Sequence, residues 1–132
     1  MQNSEVVKSW VSLADADLKS ARILAERHPP LNENACFHAQ QAVEKALKSI
    51  LVANGEFPTK THALDDVLKE VAKYTGELEA YSQKALFLNP FAVISRYPNQ
   101  LEIDDAITKK ALAYAEEISR AAKSVALRAS TQ

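Results

Sequence analysis

Residues 36–55 read CFHAQQAVEKALKSILVANG, and this stretch predicts a long helix that neighbouring helices can approach closely. Its apolar residues recur at helical spacing and are mostly small. The predicted buried face comprises Ala35, Ala39, Ala42, Val43, Ala46, Leu47 and Ile50. Asn32 or Asn34 could cap the start of this helix, and Asn54–Gly55 is a typical helix-ending pair.

The remainder of the chain also favours helices, because only two glycines and five prolines interrupt its 132 residues. Stretches rich in alanine, leucine, lysine and glutamate predict helices over 4–28 and 102–126. A short helix capped by Thr61 and ending at Gly76 is predicted between them, followed by one from Leu78 that Asn89–Pro90 interrupts. We therefore predict one all-α domain over 1–132, an antiparallel up-and-down bundle of four to five helices.

Composition excludes several classes of protein. The chain is 47% hydrophobic and 25% charged with a formal charge of −1, which argues against disorder and against a strongly basic nucleic-acid binder. A lone cysteine, Cys36, excludes an internal disulfide and a four-cysteine zinc site. The chain has no membrane-length apolar run and starts with polar residues, so we expect a cytoplasmic protein that does not associate with a membrane. We also expect no bound metal and no cofactor.

Asp17 interrupts the apolar face predicted for the first helix. That face comprises Val6, Trp10, Leu13, Ala14, Leu18, Ala21, Leu24 and Ala25. A carboxylate buried there needs a hydrogen-bonding partner. One hypothesis, which the residues favour, is a structural hydrogen bond; the other is a carboxylate that orients a histidine or lysine of a binding site.

A row of polar side chains follows one side of the second helix. His38, Gln41, Lys45 and Lys48 fall within about 80° of each other on an ideal helix. An imidazole, an amide and two ammonium groups suit a phosphate or a ribose–base edge. Gln40 and Glu44 are predicted to point further towards solvent. The alternative is a solvated face in which Glu44 pairs with Lys48 at i,i+4 spacing.

Three further features lie in the second half of the chain. Arg96 and Tyr97 form a compact pair before Pro98, in a loop suited to binding. His62, next to the predicted Thr61 cap, is expected to make a loop or capping contact. The stretch 87–97 carries more apolar surface than one helix face can hide, which predicts a self-association or partner surface. Its candidate contact residues are Phe87, Phe91 and Ile94.

These residues together resemble the HEPN domain family, named for nucleotide binding in higher eukaryotes and prokaryotes. The matching segments are Trp10…Ala14…Asp17-Leu18…Ala21, the string CFHAQQAVEKALK at 36–48, Thr61-His62-x-Leu64 and Arg96-Tyr97-Pro98. The resemblance covers about 4–125. It implies a helical bundle that commonly forms dimers, often encoded beside a minimal nucleotidyltransferase.

The resemblance also implies RNA cleavage in several members, which are toxins of toxin–antitoxin or defence systems. Those members use an Arg-x(4–6)-His motif in which histidine moves a proton and arginine stabilises the phosphorane. Here no histidine follows His62, so Arg96 lacks the histidine of that motif.

Three functional hypotheses follow. The leading one is a domain that binds a nucleotide, RNA or a nucleotidyltransferase partner without being catalytic alone. Its candidate ligand-binding residues are Asp17, His38, Gln41, Lys45, Lys48, Arg96 and Tyr97. The alternatives are a metal-independent RNase toxin that uses His38 or His62, and a purely structural dimerisation module.

Overall fold

The computed structural model describes residues 4–93 and 102–131, and every regular element in them is helical. The five α-helices are α1 (Ser4–Glu26), α2 (Asn32–Ala53), α3 (Leu64–Val71), α4 (Ser82–Leu88) and α5 (Asp105–Ser130). Short 3-10 helices precede and follow α4, at Glu79–Tyr81 and Asn89–Ala92. The all-α prediction is confirmed. Within these residues, no helix combines the length and apolarity needed to cross a membrane.

Proline and glycine end the first two helices much as predicted. Helix α1 ends at Glu26, shortly before the Pro29–Pro30 pair, and α2 ends at Ala53. Gly55 follows with φ of 82°, a left-handed conformation that costs glycine little. The predicted asparagine cap of α2 was wrong, because Leu31 occupies the N-cap position. The Asn32 side chain instead donates to Asp105 Oδ1 at 2.9 Å.

Side-chain pairs between helices give the direction of each long helix. Arg22 pairs with Glu116 and Asp15 with Lys123, so α1 and α5 are antiparallel. Contacts of Asn32 with Asp105 and of Cys36 with Thr108 show that α2 and α5 run the same way. The shorter helices α3 and α4 lie on the part of the chain that returns from the end of α2 to the start of α5.

Helix α2 is the centre of the molecule, because α1, α3, α4 and α5 all pack against it. Its predicted apolar face is buried throughout, and Cys36, Leu51 and Ala53 join it in the core. Alanines from α1, α2 and α5 fill much of the interior. Small side chains at these contacts let the backbones approach closely, as the alanine-rich stripe predicts.

Helix α1 is rotated relative to the prediction. Its buried residues are Val7, Val11, Ala14, Leu18 and Ala21. Leu13 and Val6, predicted to face inward, are exposed, with 54% of the Leu13 surface accessible. Trp10 lies at the edge, half-buried. The inward face therefore lies about 50° from the predicted one, and Asp17 sits at its margin rather than its centre.

The start of α3 also differs from the prediction. Ala63, not Thr61, is the N-cap residue and cannot provide a side-chain cap. The Thr61 hydroxyl instead accepts a hydrogen bond from the Ala63 N–H at 3.2 Å. The N–H of Leu64 is bound by the side-chain oxygen of Asn89, 25 residues further along the chain.

The aromatic residues at the end of α4 are mostly covered within the chain. Phe91, predicted to form an interface, is only 4% exposed and belongs to the core. Phe87 is half-buried, edge-on to the rings of Phe91 and Tyr114. The prediction that Phe91 offers surface to a partner was therefore wrong, because the 3-10 helix Asn89–Ala92 turns it inward. Ile94 lies outside the described residues.

Candidate functional site

Asp17 joins two side chains of α2 into a cluster at the surface between α1 and α2. Its Oδ1 lies 2.9 Å from Nδ1 of His38, and its Oδ2 accepts a hydrogen bond from Nζ of Lys45 at 2.5 Å. We call Asp17, His38 and Lys45 the α1–α2 cluster. The Asp17 side chain is only 12% exposed. A buried carboxylate requires a hydrogen-bonding partner, and Asp17 has two.

The positions of the three residues explain why they meet. His38 and Lys45 are seven residues apart, two turns of α2, so their side chains leave the helix on the same side. Asp17 reaches them from the margin of the inward face of α1. Phe37 lies edge-on to the His38 ring, with centroids 5.4 Å apart, which further restrains the imidazole.

The contact with Asp17 determines which ring nitrogen of His38 remains for a ligand. An ionised carboxylate only accepts hydrogen bonds, so Nδ1 of His38 must carry the proton in that contact. Nε2 is then the remaining polar atom of the ring, on a side chain that is about one-third exposed. Lys45 is exposed to a similar degree and can donate two further hydrogen bonds beyond Asp17. When Nε2 of His38 is also protonated, the cluster can therefore offer both groups as donors to an anion.

A second polar cluster lies on the other edge of α2. The Glu44 carboxylate accepts hydrogen bonds from Nδ1 of His62 at 3.0 and 3.1 Å and from Nζ of Lys48 at 3.1 Å. Gln40 donates to the backbone oxygen of His62 at 3.1 Å. We call Gln40, Glu44, Lys48 and His62 the Glu44 cluster. It ties the loop before α3 to the central helix.

The burial of this second cluster contradicts the sequence prediction. Gln40 and Glu44 are buried, although both were predicted to face solvent. Lys48 was predicted to extend the row formed by His38 and Lys45, but its side chain is only 6% exposed and is bound to Glu44. The Glu44–Lys48 pair exists, but in the interior rather than on a solvated face. Lys48 is therefore no longer a candidate for direct contact with a surface ligand.

Gln41 is hydrogen-bonded to the Glu44 cluster. Its amide nitrogen donates to Oε1 of Gln40 at 2.7 Å, and Gln40 in turn holds the backbone of His62. Gln41 is half-buried and lies one turn from His38 on α2. The polar side chains on this side of α2 therefore form a continuous chain of contacts from Gln41 to His62.

The structure brings together only part of the predicted site. It places Asp17 in direct contact with His38 and Lys45, whereas Gln41 bonds to Gln40. Arg96 and Tyr97 lie outside the described residues. The convergence of this pair with the polar row of α2 therefore remains a prediction.

Sequence reasoning missed Glu44 as the centre of a polar cluster. The available signal was its position: Gln40, Glu44 and Lys48 repeat every fourth residue along the helix. Such spacing puts the three on one line, where a buried helix requires mutual hydrogen bonds. His62, which also binds Glu44, lies in a separate segment of the chain. The spacing of residues within α2 therefore does not predict its contact.

One other reactive group, the thiol of Cys36, lies outside these clusters. Cys36 is fully buried, and burial raises the pKa of its thiol, an effect that a hydrogen bond to Thr108 partly opposes. Cys36 therefore packs as a small buried hydrophobic residue. Within residues 4–93 and 102–131, no group of three or more histidine, cysteine or acidic side chains is arranged to hold a metal ion.

Comparison with known proteins supports the resemblance found in the sequence. The model of the HEPN domain family matches residues 7–125. A Methanocaldococcus jannaschii protein named "Putative toxin MJ1304" is 30% identical over 104 residues, 73% of this chain and 66% of that protein. The matched stretch thus spans slightly less than two thirds of that relative.

Two crystal structures share the fold. TT1696 from Thermus thermophilus superposes with a TM-score of 0.75 at 24% identity, covering 90% of this chain and 97% of that one. ST0689, described as an archaeal HEPN homologue, gives a TM-score of 0.71 at 25% identity, with coverage of 91% and 97%. The helical arrangement is therefore common to all three proteins.

Proposed function

This chain belongs to the HEPN domain family, and we propose that it binds phosphate groups of RNA or of a nucleotide through the α1–α2 cluster. The observation that carries the proposal is the double contact of Asp17 with His38 and Lys45. One carboxylate fixes an imidazole and an ammonium group side by side, and both remain partly exposed.

The chemistry of these groups suits a phosphate. In the imidazolium form His38 donates through both ring nitrogens, Nδ1 to Asp17 and Nε2 to a ligand. Lys45 contributes further N–H donors, and charge-assisted hydrogen bonds to phosphate are among the strongest available. Because Asp17 already restrains both side chains, less conformational entropy is lost on binding. Gln41, beside His38, supplies an amide for a sugar or base edge.

Titration with two probes tests the proposal. Fluorescently labelled single-stranded RNA and a labelled nucleoside monophosphate distinguish a polynucleotide from a nucleotide as the source of the phosphate. We expect Lys45→Ala to weaken binding of at least one probe about tenfold, because it removes a charged hydrogen bond. Lys109→Ala is the matched control, since Lys109 is an exposed lysine on α5 away from the cluster. Equal binding by wild type and the Lys45 variant contradicts the proposal.

A second candidate function is metal-independent RNA cleavage, favoured by the carboxylate-held His38 and by the name of the Methanocaldococcus jannaschii relative, which describes a toxin. Neutral His38 carries its proton on Nδ1, towards Asp17, so Nε2 can accept one. It would take the proton of a ribose 2′-hydroxyl while O2′ attacks phosphorus. The bond from phosphorus to the 5′-oxygen then breaks, and that oxygen takes a proton from water. The products are a 2′,3′-cyclic phosphate and a 5′-hydroxyl.

Incubation of the purified protein with RNA in the presence of a chelator separates the two functions. Cleavage that disappears in His38→Ala but persists in His28→Ala supports the catalytic role, because His28 is an exposed histidine beyond the end of α1. Absence of such cleavage contradicts the catalytic role.

A further inference from the structure

We propose that the pocket between α1 and α5 binds a small tetrahedral oxyanion, of which inorganic phosphate and sulfate are examples. Its donors are Arg22 of α1 and Ser119 and Arg120 of α5, which all line the pocket. None of these residues belongs to the α1–α2 cluster, so the site goes beyond the proposed function. It is inferred from a buried serine hydroxyl that lies beside two arginines and has no partner in the described residues.

The hydroxyl of Ser119 is unusual among the serines of this fold. Ser119 is only 6% exposed, and its Oγ has no hydrogen-bond partner in the described part of the chain. Ser9, Ser49 and Ser130 each bond a carbonyl oxygen of their own helix instead. Leu18, on the α1 side of the same pocket, offers no acceptor. A buried hydroxyl without a partner is destabilising, so this one favours a ligand that accepts its hydrogen bond.

Two ion pairs flank the pocket. Nε of Arg22 donates to Glu116 at 2.8 Å, and Nζ of Lys123 donates to Asp15 at 3.1 Å. Ser119 lies between Glu116 and Lys123 along α5. The volume of the pocket is about 170 Å³, whereas pockets for drug-sized molecules typically measure about 300–1,000 Å³. The pocket therefore suits a ligand of few atoms.

The charges that line the pocket favour an anion. Arg22 and Lys123 are each balanced by the acidic partner described above. Arg120 also lines the pocket and is exposed, and no acidic side chain in the described residues pairs with it. The lining therefore carries one uncompensated positive charge, on the residue next to Ser119.

The number and geometry of the donors indicate which anion fits. The guanidinium of Arg120 is a planar fork that matches two oxygens of a phosphate or sulfate. Arg22 bonds Glu116 through Nε, so its two terminal nitrogens can donate to a ligand. Ser119 adds a hydroxyl donor from the interior. A tetrahedral oxyanion has enough oxygens to accept from all three side chains, whereas a carboxylate has only two.

Urea unfolding of the whole chain tests whether the Ser119 hydroxyl binds the anion. In chloride, we expect Ser119→Ala to unfold at a midpoint equal to or above that of the wild type, because it removes an unpaired buried hydroxyl. In phosphate of the same ionic strength, we expect the midpoint of the wild type to rise more than that of Ser119→Ala, because a ligand that binds the folded state stabilises it. Ser124→Ala, an exposed serine of α5, is the matched control and is expected to follow the wild type.

The comparison of two proteins in the same salt isolates this site. Phosphate also stabilises folded proteins by exclusion from their surface, and that effect acts equally on the wild type and on Ser119→Ala. Phosphate held by the α1–α2 cluster likewise stabilises both proteins. Only the difference between their midpoints reports the Ser119 hydroxyl.

Backbone NMR titration measures binding at the pocket itself. We expect inorganic phosphate and sulfate to shift the amide signals of Ser119 and Arg120, and Arg120→Gln to weaken phosphate binding there about tenfold. Arg27→Gln, at an exposed arginine that does not line the pocket, is expected to leave this binding unchanged. Glycerol phosphate is the second probe. Equal shifts with both phosphates show that the phosphate end of a larger molecule is accepted, and shifts with inorganic phosphate alone identify the free ion as the ligand.

Three results overturn this inference. The first is phosphate that leaves the amides of Ser119 and Arg120 unshifted. The second is phosphate that stabilises Ser119→Ala as much as the wild type. The third is acetate that binds the pocket as tightly as phosphate, which excludes a site for tetrahedral anions. Lys45→Ala separates the two sites, because we expect it to weaken binding at the α1–α2 cluster and to leave the shifts at Ser119 unchanged.

Discussion

The side-chain oxygen of Asn89 lies 2.7 Å from the backbone nitrogen of Leu64, so a residue that follows α4 caps the start of α3. The same amide donates to Oδ1 of Asp65 at 2.9 Å. Asn89 therefore accepts from the first turn of α3 with one atom and donates to it with another. This single side chain fixes two helices that have no other polar contact at that point in the described residues.

We expect Asn89→Ala to destabilise the protein by about 1 kcal/mol, because the Leu64 N–H loses its acceptor. Urea unfolding measures this loss. Asn89→Asp is an informative comparison, since a carboxylate can still accept from Leu64 but cannot donate to Asp65. An unchanged unfolding midpoint for Asn89→Ala would contradict the capping role.

Asn89 also predicts a titration shift at Asp65. Its hydrogen bond is the main cause that lowers the pKa of Asp65 below the ordinary value. A lowered pKa in the folded state adds stability above the pKa of the unfolded chain, and that stability is lost as the pH falls through the folded value. In Asn89→Ala and Asn89→Asp we expect the pKa of Asp65 to rise. Carboxyl NMR titration measures it, and an unmoved value excludes Asn89 as the cause.

Two aspartates of α1 provide a matched pair for the α1–α2 cluster. Asp17→Asn removes a largely buried negative charge that binds both His38 and Lys45, and we expect a loss of about 1–3 kcal/mol in the free energy of unfolding. Asp15→Asn removes an exposed partner of Lys123 and is expected to cost less than about 1 kcal/mol. Denaturant unfolding compares them. Equal losses would mean that the cluster is no more important to the fold than a surface ion pair.

Glu44 is expected to be the most sensitive acidic residue in the described part of the chain. Glu44→Gln leaves the ammonium of Lys48 buried without a negative partner, a change that typically costs about 3–5 kcal/mol. The double variant Glu44→Leu/Lys48→Met removes both charges, and we expect it to recover much of that loss. Glu77→Gln, in an exposed pair with Arg128, is the control. A mild effect of Glu44→Gln would show that Lys48 reaches solvent.

The buried Cys36 thiol gives a pH-dependent prediction. Burial raises its pKa in the folded state, so the folded protein keeps the thiol protonated where the unfolded chain ionises, near the ordinary value of 9.0. The stability from this difference is present below that pH and is lost as the pH rises towards the folded pKa. We expect urea unfolding to show a steeper fall above about pH 9 for wild type than for Cys36→Ala. Parallel curves would exclude this contribution.

The positions of the helices were predictable because their boundaries have local causes. Pro29 and Pro30 follow α1, Asn54 and Gly55 follow α2, and Asp104 caps α5 through the N–H of Ile107. Each of these signals acts within a few residues. The sequence therefore predicts which segments are helical, although α3 ends at Val71 rather than near Gly76 and α5 continues to Ser130 rather than ending near 126.

The inward face of α1 was not predictable in the same way. Val6, Trp10 and Leu13 have helical spacing with Ala14, but so do Val7 and Val11. Both sets satisfy the periodicity of an amphipathic helix, and only the contact with α2 and α5 decides between them. That contact depends on residues far away in the chain, which local spacing does not include.

In the candidate site, too, some features follow from the local sequence and others depend on residues far along the chain. Asp17 was identifiable because a carboxylate beside an apolar face requires a partner, and the structure supplies His38 and Lys45. The burial of Glu44 depends on His62 and on the loop that carries it, 18 residues away. When the sequence of one helix is considered alone, a charged residue is predicted to face solvent, because its distant partner is not known.

Both histidine–carboxylate contacts involve α2 and a different neighbouring segment, α1 in one case and the loop before α3 in the other. Sliding α2 along its axis by one turn would break both at once. The groups that hold the imidazoles thus also set the alignment of three segments of the chain. A substitution that moves one imidazole will therefore require a compensating change in the segment that it contacts. We expect residues on this surface to change in coupled pairs during evolution rather than singly.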